Sequence, residues 1–282
     1  MKIGYSVYGK DSLTDSLACK LVEGGIEVLE IAMSAEEFPE ADFAKTAEVA
    51  KRHGLEIGSI HLPIAPQTVY DVTNKHATGA MAYQSELIKR AEVMGIKHIV
   101  MHSGGEPLVE EERAERVKRA GEALPRLADV AGAYGADICI EDLPRTCLGR
   151  NSSDILDLIS AHPALRVCFD TNHLLGESIS DFIEKVGPHI ITTHVSDYDE
   201  INERHWLPGE GVIDWKALKS ELAATGYDGY WLYELGLSGS TKTVDRERAL
   251  THSDLKRNFD EITEYKPITK IGQGKKNLPM FP

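Results

Sequence analysis

The chain has 282 residues, of which 42% are hydrophobic and 27% are charged, and its formal net charge is −14. This length allows a large apolar core and fits either one barrel or two smaller domains. The negative charge repels phosphate backbones, so we expect no nucleic acid as the main partner.

Strand-like and helix-like hydrophobic patterns alternate along the whole chain. The predicted strands lie near residues 2–8, 26–33, 56–62, 97–102, 137–142, 166–171, 190–196 and 230–235. The predicted helices lie near residues 12–24, 40–53, 75–94, 109–134, 152–161, 178–186, 214–225 and 243–264. This succession predicts an α/β fold, a single (β/α)₈ barrel over residues 1–265, with a C-terminal extension at 266–282.

Glycine follows several predicted helices, where a left-handed residue commonly ends a helix. These glycines are Gly25, Gly54, Gly95, Gly135, Gly187 and Gly226. Two segments depart from the repeat. Residues 197–213 predict a long polar loop after the seventh strand, and such loops are usually functional. The tail from Lys266 predicts a surface or disordered extension, with docking on a second copy in a homo-oligomer as the alternative.

We expect a cytoplasmic protein. Its N-terminal residues enter a strand directly and lack the long apolar segment of a signal peptide. No run approaches the roughly 20 apolar residues of a membrane-spanning helix, so we expect no membrane partner. The cysteines form no C-x-x-C pair, and we expect them to be reduced packing residues.

Seven of the predicted strands end in a carboxylate or an imidazole. An unpaired charge is costly to bury, so a buried strand gains no stability from such an ending. At the carboxyl ends of barrel strands these side chains would meet in one mouth. A mixture of His, Asp and Glu in that mouth indicates a divalent metal site. The seven residues are Glu30, His61, His102, Glu141, Asp170, His194 and Glu234.

Several longer motifs surround these residues. They are Ile140-Glu141-Asp142, Phe169-Asp170-Thr171-Asn172-His173, Thr193-His194-Val195-Ser196-Asp197, Glu203-Arg204-His205 with Pro208-Gly209-Glu210-Gly211, and Tyr233-Glu234. With these motifs the chain resembles the xylose isomerase-like TIM barrel superfamily. That superfamily includes sugar phosphate isomerases and epimerases, ketose 3-epimerases and the second family of apurinic endonucleases.

The epimerase branch of this resemblance implies one divalent metal, held by Glu141, Asp170, His194 and Glu234. Three carboxylates and one imidazole suit Mn²⁺ best, with Mg²⁺, Co²⁺ or Zn²⁺ as alternatives. The same resemblance makes the two glutamates the catalytic residues that exchange a substrate proton. The residues that would contact substrate oxygens are His61, His102, His173, Arg204 and His205.

The endonuclease branch implies a competing arrangement of three zinc sites. In that arrangement His61, His102 and Glu141 would hold the first zinc, and the four epimerase ligands would hold the second. His173, Glu203 and His205 would hold the third. Glu203 stands where that branch uses an aspartate, and its extra methylene changes the reach of the carboxylate.

Four functions are compatible with these residues. The first is a sugar isomerase or epimerase that abstracts a proton next to a carbonyl of a keto-sugar or polyol derivative, through an enediolate. The second is a dehydratase or lyase that eliminates a leaving group from the same enediolate of a keto-sugar or inosose. The third is a zinc-dependent apurinic endonuclease, which the charge disfavours, as does the lack of Lys and Arg at 63–74 and 103–112. The fourth is a non-catalytic metal- or sugar-binding subunit.

Overall fold

The computed structural model describes residues 1–64, 66–276 and 278. Eight parallel strands form a closed barrel in chain order, and the last strand pairs with the first. The single (β/α)₈ barrel predicted from the sequence is therefore confirmed. The barrel strands are β1 (Lys2–Tyr8), β2 (Val28–Ala32), β3 (Glu56–His61), β4 (His98–Met101), β5 (Asp137–Glu141), β6 (Leu165–Asp170), β7 (Ile190–Val195) and β8 (Tyr230–Tyr233).

The helices alternate with the strands and surround the barrel. They are α1 (Asp15–Glu23), α2 (Phe43–His53), α3 (Gln67–Tyr70), α4 (Ala80–Ala91), α5 (Arg113–Gly132), α6 (Ser152–Ile159), α7 (Ile179–Val186), α8 (Trp215–Ala224) and α9 (His252–Thr263). Local sequence sets several boundaries. The side chains of Thr14, Asn151 and Ser178 each cap a helix by accepting a backbone N–H three residues later. Gly54 ends α2 in the left-handed conformation, at φ +71°.

The apolar core lies between the strands and the helices. Fully buried side chains from both layers contribute to it, among them Leu87 and Phe182 from helices and Ile99, Phe169 and Trp231 from strands. A smaller cluster inside the barrel contains Val100, Cys139 and Cys168. This packing fixes the strands, and therefore the positions of the residues at their carboxyl ends.

The last predicted helix begins later than the sequence pattern indicates. Residues 243–264 were expected to be helical, but β9 (Val244–Arg246) is an extended segment that pairs antiparallel with β10 (Gly272–Gly274). The helix α9 begins only at His252, after the Thr251 cap. A three-residue strand carries no periodicity of its own, and its partner lies far along the chain, so the local pattern could not reveal it.

The described part of the C-terminal extension packs on the barrel. Gly274 contacts the Trp206 ring so closely that a Cβ at this position would overlap it. The tail thereby covers the loop that follows β7. Residues 277 and 279–282 of the predicted extension lie outside the described residues.

Gly187 was predicted to be a left-handed helix end, but its φ is −45° and it starts a short 3₁₀ turn. The other five glycines that were predicted to end helices have positive φ.

Across residues 1–64, 66–276 and 278, no helix combines the length and the apolar character needed to cross a membrane.

Candidate active site

Strand register brings the charged strand ends together. Asp170 on β6 lies directly opposite His194 on β7, and Glu141 on β5 lies opposite Cys168. On the other side of the barrel, Glu30 on β2 lies opposite Ser59 on β3. The parallel strands all end at one face, so their terminal side chains share one mouth.

Glu141, Asp170, His194 and Glu234 form one compact cluster, with their ligand atoms all within 4.8 Å of one another. His194 Nδ1 lies 3.0 Å from Glu141 Oε1, 3.4 Å from Glu234 Oε2 and 4.0 Å from Asp170 Oδ2. Ligands bound at about 2.0–2.3 Å around one ion lie about 3–4 Å apart, so this spacing fits a single divalent metal.

Asp170 supports the same interpretation. Its Oδ1 accepts the backbone N–H of Asn172 at 2.8 Å, whereas its buried Oδ2 has no hydrogen-bond partner. Burial raises the pKa of Asp170 to about 6. A buried carboxylate oxygen without a partner is costly, and a cation in this cluster would satisfy it. The residues present therefore fit the metal that the sequence indicates.

Glu30 holds the far side of the His194 ring. The Glu30 carboxylate lies 3.1 Å from His194 Nε2 and accepts hydrogen bonds from Ser59 Oγ at 2.8 Å and Ser6 Oγ at 3.1 Å. Glu30 and His194 are both 0% exposed. A carboxylate on the outer nitrogen of a ligand histidine fixes the ring and leaves the inner nitrogen for the metal.

His61 and His102 contact the second oxygen of Glu141. Their Nε2 atoms lie 3.0 Å and 3.2 Å from Glu141 Oε2. Burial by itself would raise the pKa of Glu141, but the charges of His194 and His102 lower it well below its usual range. His61, His102 and Glu141 also form a group with metal-ligand spacing. The structure thus places both histidines beside Glu141, and their contact with a substrate stays a prediction.

A third group with ligand spacing contains His173, Glu203 and His205. His173 Nε2 lies 3.2 Å from Glu203 Oε2, and its Nδ1 lies 2.8 Å from the Asp142 carbonyl oxygen. The Arg145 guanidinium contacts the other oxygen of Glu203 at 2.9 Å. Burial alone would raise the pKa of Glu203, but the hydrogen bond with His173 and the charge of Arg145 lower it to about 2.

Arg204 directs its side chain to an acidic neighbour. Its Nε donates to Asp199 Oδ2 at 2.8 Å, and its backbone N–H donates to Asn172 Oδ1 at 2.7 Å. His205, next in the chain, has its Nδ1 3.1 Å from the carbonyl oxygen of Glu234. The substrate contact expected for Arg204 stays a prediction.

A cavity of about 290 Å³ opens onto these groups. Two of the four candidate metal ligands, Glu141 and Glu234, line it, together with His61, His102, His173 and His205. A more apolar groove of about 660 Å³ adjoins it, and Tyr5, Ile64 and Leu235 line part of that groove. The site can therefore hold a small polar molecule beside the four candidate metal ligands.

Three residues other than glycine near the mouth have left-handed backbone conformations. Arg145 has φ +54°, Glu200 φ +62° and His205 φ +51°. Such conformations cost on the order of 1–3 kcal/mol each and persist only where the surrounding contacts impose them. Two of the three, Arg145 and His205, carry side chains into the cavity.

Sequence reasoning assigned Glu30 neither a ligand nor a substrate contact, and it assigned no role to Arg145. Glu30 was noticed as a charged strand end, but its contact with His194 joins strands that are not neighbours in the barrel. Arg145 is four residues beyond Glu141 in a polar loop. Its partners Glu106 and Glu203 lie 39 and 58 residues away in the sequence. The sequence shows only that an arginine follows the acidic strand end, and this does not indicate which carboxylates the arginine contacts.

Comparison with known proteins identifies the family. A family model described as "Xylose isomerase-like TIM barrel" matches residues 20–253. The chain belongs to this family. The xylose isomerase-like barrel predicted from the motifs is thereby confirmed, and the charged strand ends described above lie inside the matched segment.

Relatives of this xylose isomerase-like barrel include sugar epimerases. The chain is 27% identical to fructoselysine 3-epimerase of Escherichia coli O157:H7 over 123 residues, which cover 42% of the chain and 45% of that protein. It thus matches less than half the length of this relative. It is 27% identical to D-psicose 3-epimerase of Ruminiclostridium cellulolyticum over 225 residues, 74% of each protein.

A solved structure of a D-tagatose 3-epimerase-like protein has a similar fold. It superposes with a TM-score of 0.76 at 20% identity and covers 94% of this xylose isomerase-like chain and 98% of the other. At this identity the likeness shows the barrel fold alone.

Proposed function

We propose that the protein is a divalent-metal-dependent isomerase or epimerase of a small keto-sugar or polyol derivative. One observation carries the proposal: Glu141 and Glu234, both members of the metal-ligand cluster, also line the same cavity of about 290 Å³. Two carboxylates facing one small polar cavity can exchange a proton with a bound substrate.

A divalent metal held by Glu141, Asp170, His194 and Glu234, Mn²⁺ by preference, would polarise a substrate carbonyl and stabilise the charge of an enediolate. Glu141 and Glu234 then divide the proton transfers. One glutamate removes the proton from the carbon next to the carbonyl. The other returns a proton, on the opposite face for an epimerase or at the neighbouring carbon for an isomerase.

The histidines around the cavity suit a polyhydroxylated substrate. The ring of His61 packs against that of His102, the ring of His173 packs against that of His205, and all four line the cavity. Imidazole nitrogens can donate to or accept from hydroxyl groups, and several of them in a small buried cavity discriminate strongly against molecules that lack those groups. The names of the relatives, fructoselysine 3-epimerase and D-psicose 3-epimerase, support the same substrate class.

The charges around the mouth argue against a nucleic acid substrate. Among the described residues that line the central cavity, Arg145 is the one arginine or lysine, and it is paired with Glu106 and Glu203. Arg150 lines a neighbouring groove at the rim together with Glu106 and Arg145, and it lies 3.5 Å from Glu110. A nuclease mouth would present cations to the phosphate backbone, whereas these arginines are neutralised by neighbouring carboxylates.

A substrate screen with a matched pair of variants tests the proposal. The Mn²⁺-loaded protein is incubated with ketohexoses, ketopentoses and inososes, and the products are separated by chromatography. We expect an epimer or isomer of at least one keto-sugar, and a loss of roughly 10²-fold or more in Glu234→Gln. Glu264→Gln, at an exposed residue paired with Lys266, is the control and should keep full activity.

The outcomes of this screen separate the candidate functions. A dehydrated product would assign the elimination reaction to the same site. Failure to convert any keto-sugar, together with cleavage of an abasic-site oligonucleotide, would refute the proposal in favour of the endonuclease.

A further inference from the structure

The cluster of His173, Glu203 and His205 has the composition of a metal site. The ligand atoms of its three members lie within 4.8 Å of one another. His173 is oriented for ligation, because its Nδ1 lies 2.8 Å from the carbonyl oxygen of Asp142 while its Nε2 faces Glu203. A histidine held in this way by a backbone carbonyl is typical of metal centres.

A guanidinium already contacts this cluster. Arg145 donates from one terminal nitrogen to Glu203 Oε1 at 2.9 Å and from the other to Asn202 Oδ1 at 2.6 Å. It also donates to both oxygens of Glu106, at 2.7 Å and 3.0 Å. The Arg145 side chain is only 13% exposed. Arginine keeps its charge at all ordinary pH values, so this is a permanent cation beside Glu203.

We propose that Arg145 supplies the positive charge that a metal ion would otherwise supply at His173, Glu203 and His205, so that this cluster binds no metal in this protein. Arg145 is thus a positioning residue: it fixes Glu203, and Glu203 in turn holds His173 at the cavity.

Both oxygens of the Glu203 carboxylate are engaged, one by Arg145 and the other by His173. A divalent ion bound here would have to displace one of these contacts and would sit within a few ångströms of the guanidinium. Like charges at that distance repel strongly when they are shielded from water. Without Arg145 the same carboxylate would lie beside two imidazoles with no permanent cation in contact with it, and one carboxylate with two imidazoles is a composition that binds zinc.

The geometry also explains why Arg145 connects three loops. Glu106 follows β4, Arg145 follows β5 and Glu203 follows β7. A planar guanidinium can hold two carboxylates and an amide in fixed directions, whereas an ammonium cannot reproduce this fork.

The part of the inference that concerns catalysis rests on the proposed function, because it assumes that His173 contacts the sugar. The part that concerns metal binding does not.

Zinc stoichiometry measured without substrate tests the inference. The protein and its variants are dialysed against zinc in a buffer of fixed free concentration, and bound zinc is measured by elemental analysis. Arg145→Gln should bind one more zinc per chain than the wild type, and Arg145→Lys, which keeps the charge, should not. Arg150→Gln is the matched control for loss of a rim arginine and should leave the stoichiometry unchanged.

A second comparison uses the wild type and does not depend on an Arg145 variant that folds. The double variant Glu203→Gln with His205→Gln should bind as much zinc as the wild type, because nothing is bound at this cluster in either protein. Loss of one zinc in the double variant would overturn the inference, as would an unchanged stoichiometry in a folded Arg145→Gln protein.

Kinetic measurements test whether Arg145 acts as a positioning residue. With a substrate identified by the screen, Arg145→Gln should lower kcat/KM at least tenfold under conditions where the extra zinc is absent, and Arg145→Lys should recover part of that loss. If no substrate is found, the proposed function fails while the zinc comparison still decides the metal part of the inference.

Discussion

Glu30 Oε1 lies 3.1 Å from His194 Nε2, with both side chains completely buried at the barrel mouth. This contact leaves His194 Nδ1 facing the carboxylates of Glu141, Asp170 and Glu234. Glu30→Gln keeps the size of the side chain but removes its charge. We expect the affinity for Mn²⁺ to fall by roughly 10–100-fold, as is usual when the partner of a ligand histidine is changed.

Calorimetric titration of the metal-free protein with Mn²⁺ measures this effect. Glu23→Gln, at an exposed residue near the end of α1, is the control for loss of a glutamate and should bind as the wild type does. Equal affinities in Glu30→Gln and Glu23→Gln would show that Glu30 does not act through His194.

Chelation should remove activity while leaving the fold intact. The core between strands and helices is large and apolar, so it can fold without the ion. We expect turnover to disappear on dialysis against a chelator and to return with Mn²⁺, with little change in far-ultraviolet circular dichroism. The melting temperature should fall, because saturating metal at about 100 times its Kd contributes about 2.7 kcal/mol. Unfolding at room temperature on chelation would contradict this expectation.

We expect the stability of α9 to depend on pH through Asp254. Hydrogen bonds from Arg248 and the Thr251 cap, together with the charge of Arg248, lower the pKa of Asp254 despite partial burial. Its carboxylate also contacts Arg257. Because the folded pKa is below the unfolded value, the stabilisation is complete above about pH 5 and is lost as the pH falls through about 3.9 and below.

The variant Asp254→Asn tests this dependence. It should lower the free energy of unfolding at pH 7 by about 1 kcal/mol, the upper end of the usual value of a negative charge in the first turn of a helix. It should also flatten the decline of stability between pH 5 and pH 3, measured by urea unfolding. Asp260→Asn is the control on the same helix, since that partly exposed residue forms an i,i+4 pair with Lys256 and should change stability by less than about 0.5 kcal/mol. A steep acid decline that persists in Asp254→Asn would assign it to other carboxylates.

The strands and the converging charges were predictable because they depend on local patterns. Glu141 and Asp170 each end an apolar run, and strand ends of a parallel barrel share one face whatever the details of packing. The regular alternation of strands and helices, together with the length of the chain, was enough to predict the barrel fold. His61 and His102, at the ends of β3 and β4, reach one cavity by the same rule, whereas His173 and His205 reach it on the loops after β6 and β7.

The contacts that complete the site could not be predicted, because they join residues far apart in sequence. Glu30 meets His194 across the barrel, and the distance between them depends on the curvature of the whole sheet. Arg145 contacts Glu203 only because two loops fold toward each other. β9 and β10 are three-residue strands, too short for a period to be visible. Local patterns specify elements and their faces, whereas such pairings depend on tertiary packing.

Proton exchange with solvent tests the central claim most directly. If Glu141 and Glu234 move a proton through an enediolate, the enzyme incubated with its substrate in D₂O should place deuterium on the carbon next to the carbonyl, as seen by proton NMR. The label should be absent with Glu234→Gln and present with the control Glu264→Gln. An enzyme that converts its substrate and never labels substrate or product would contradict the account, because a hydride moved directly between carbons does not exchange with solvent.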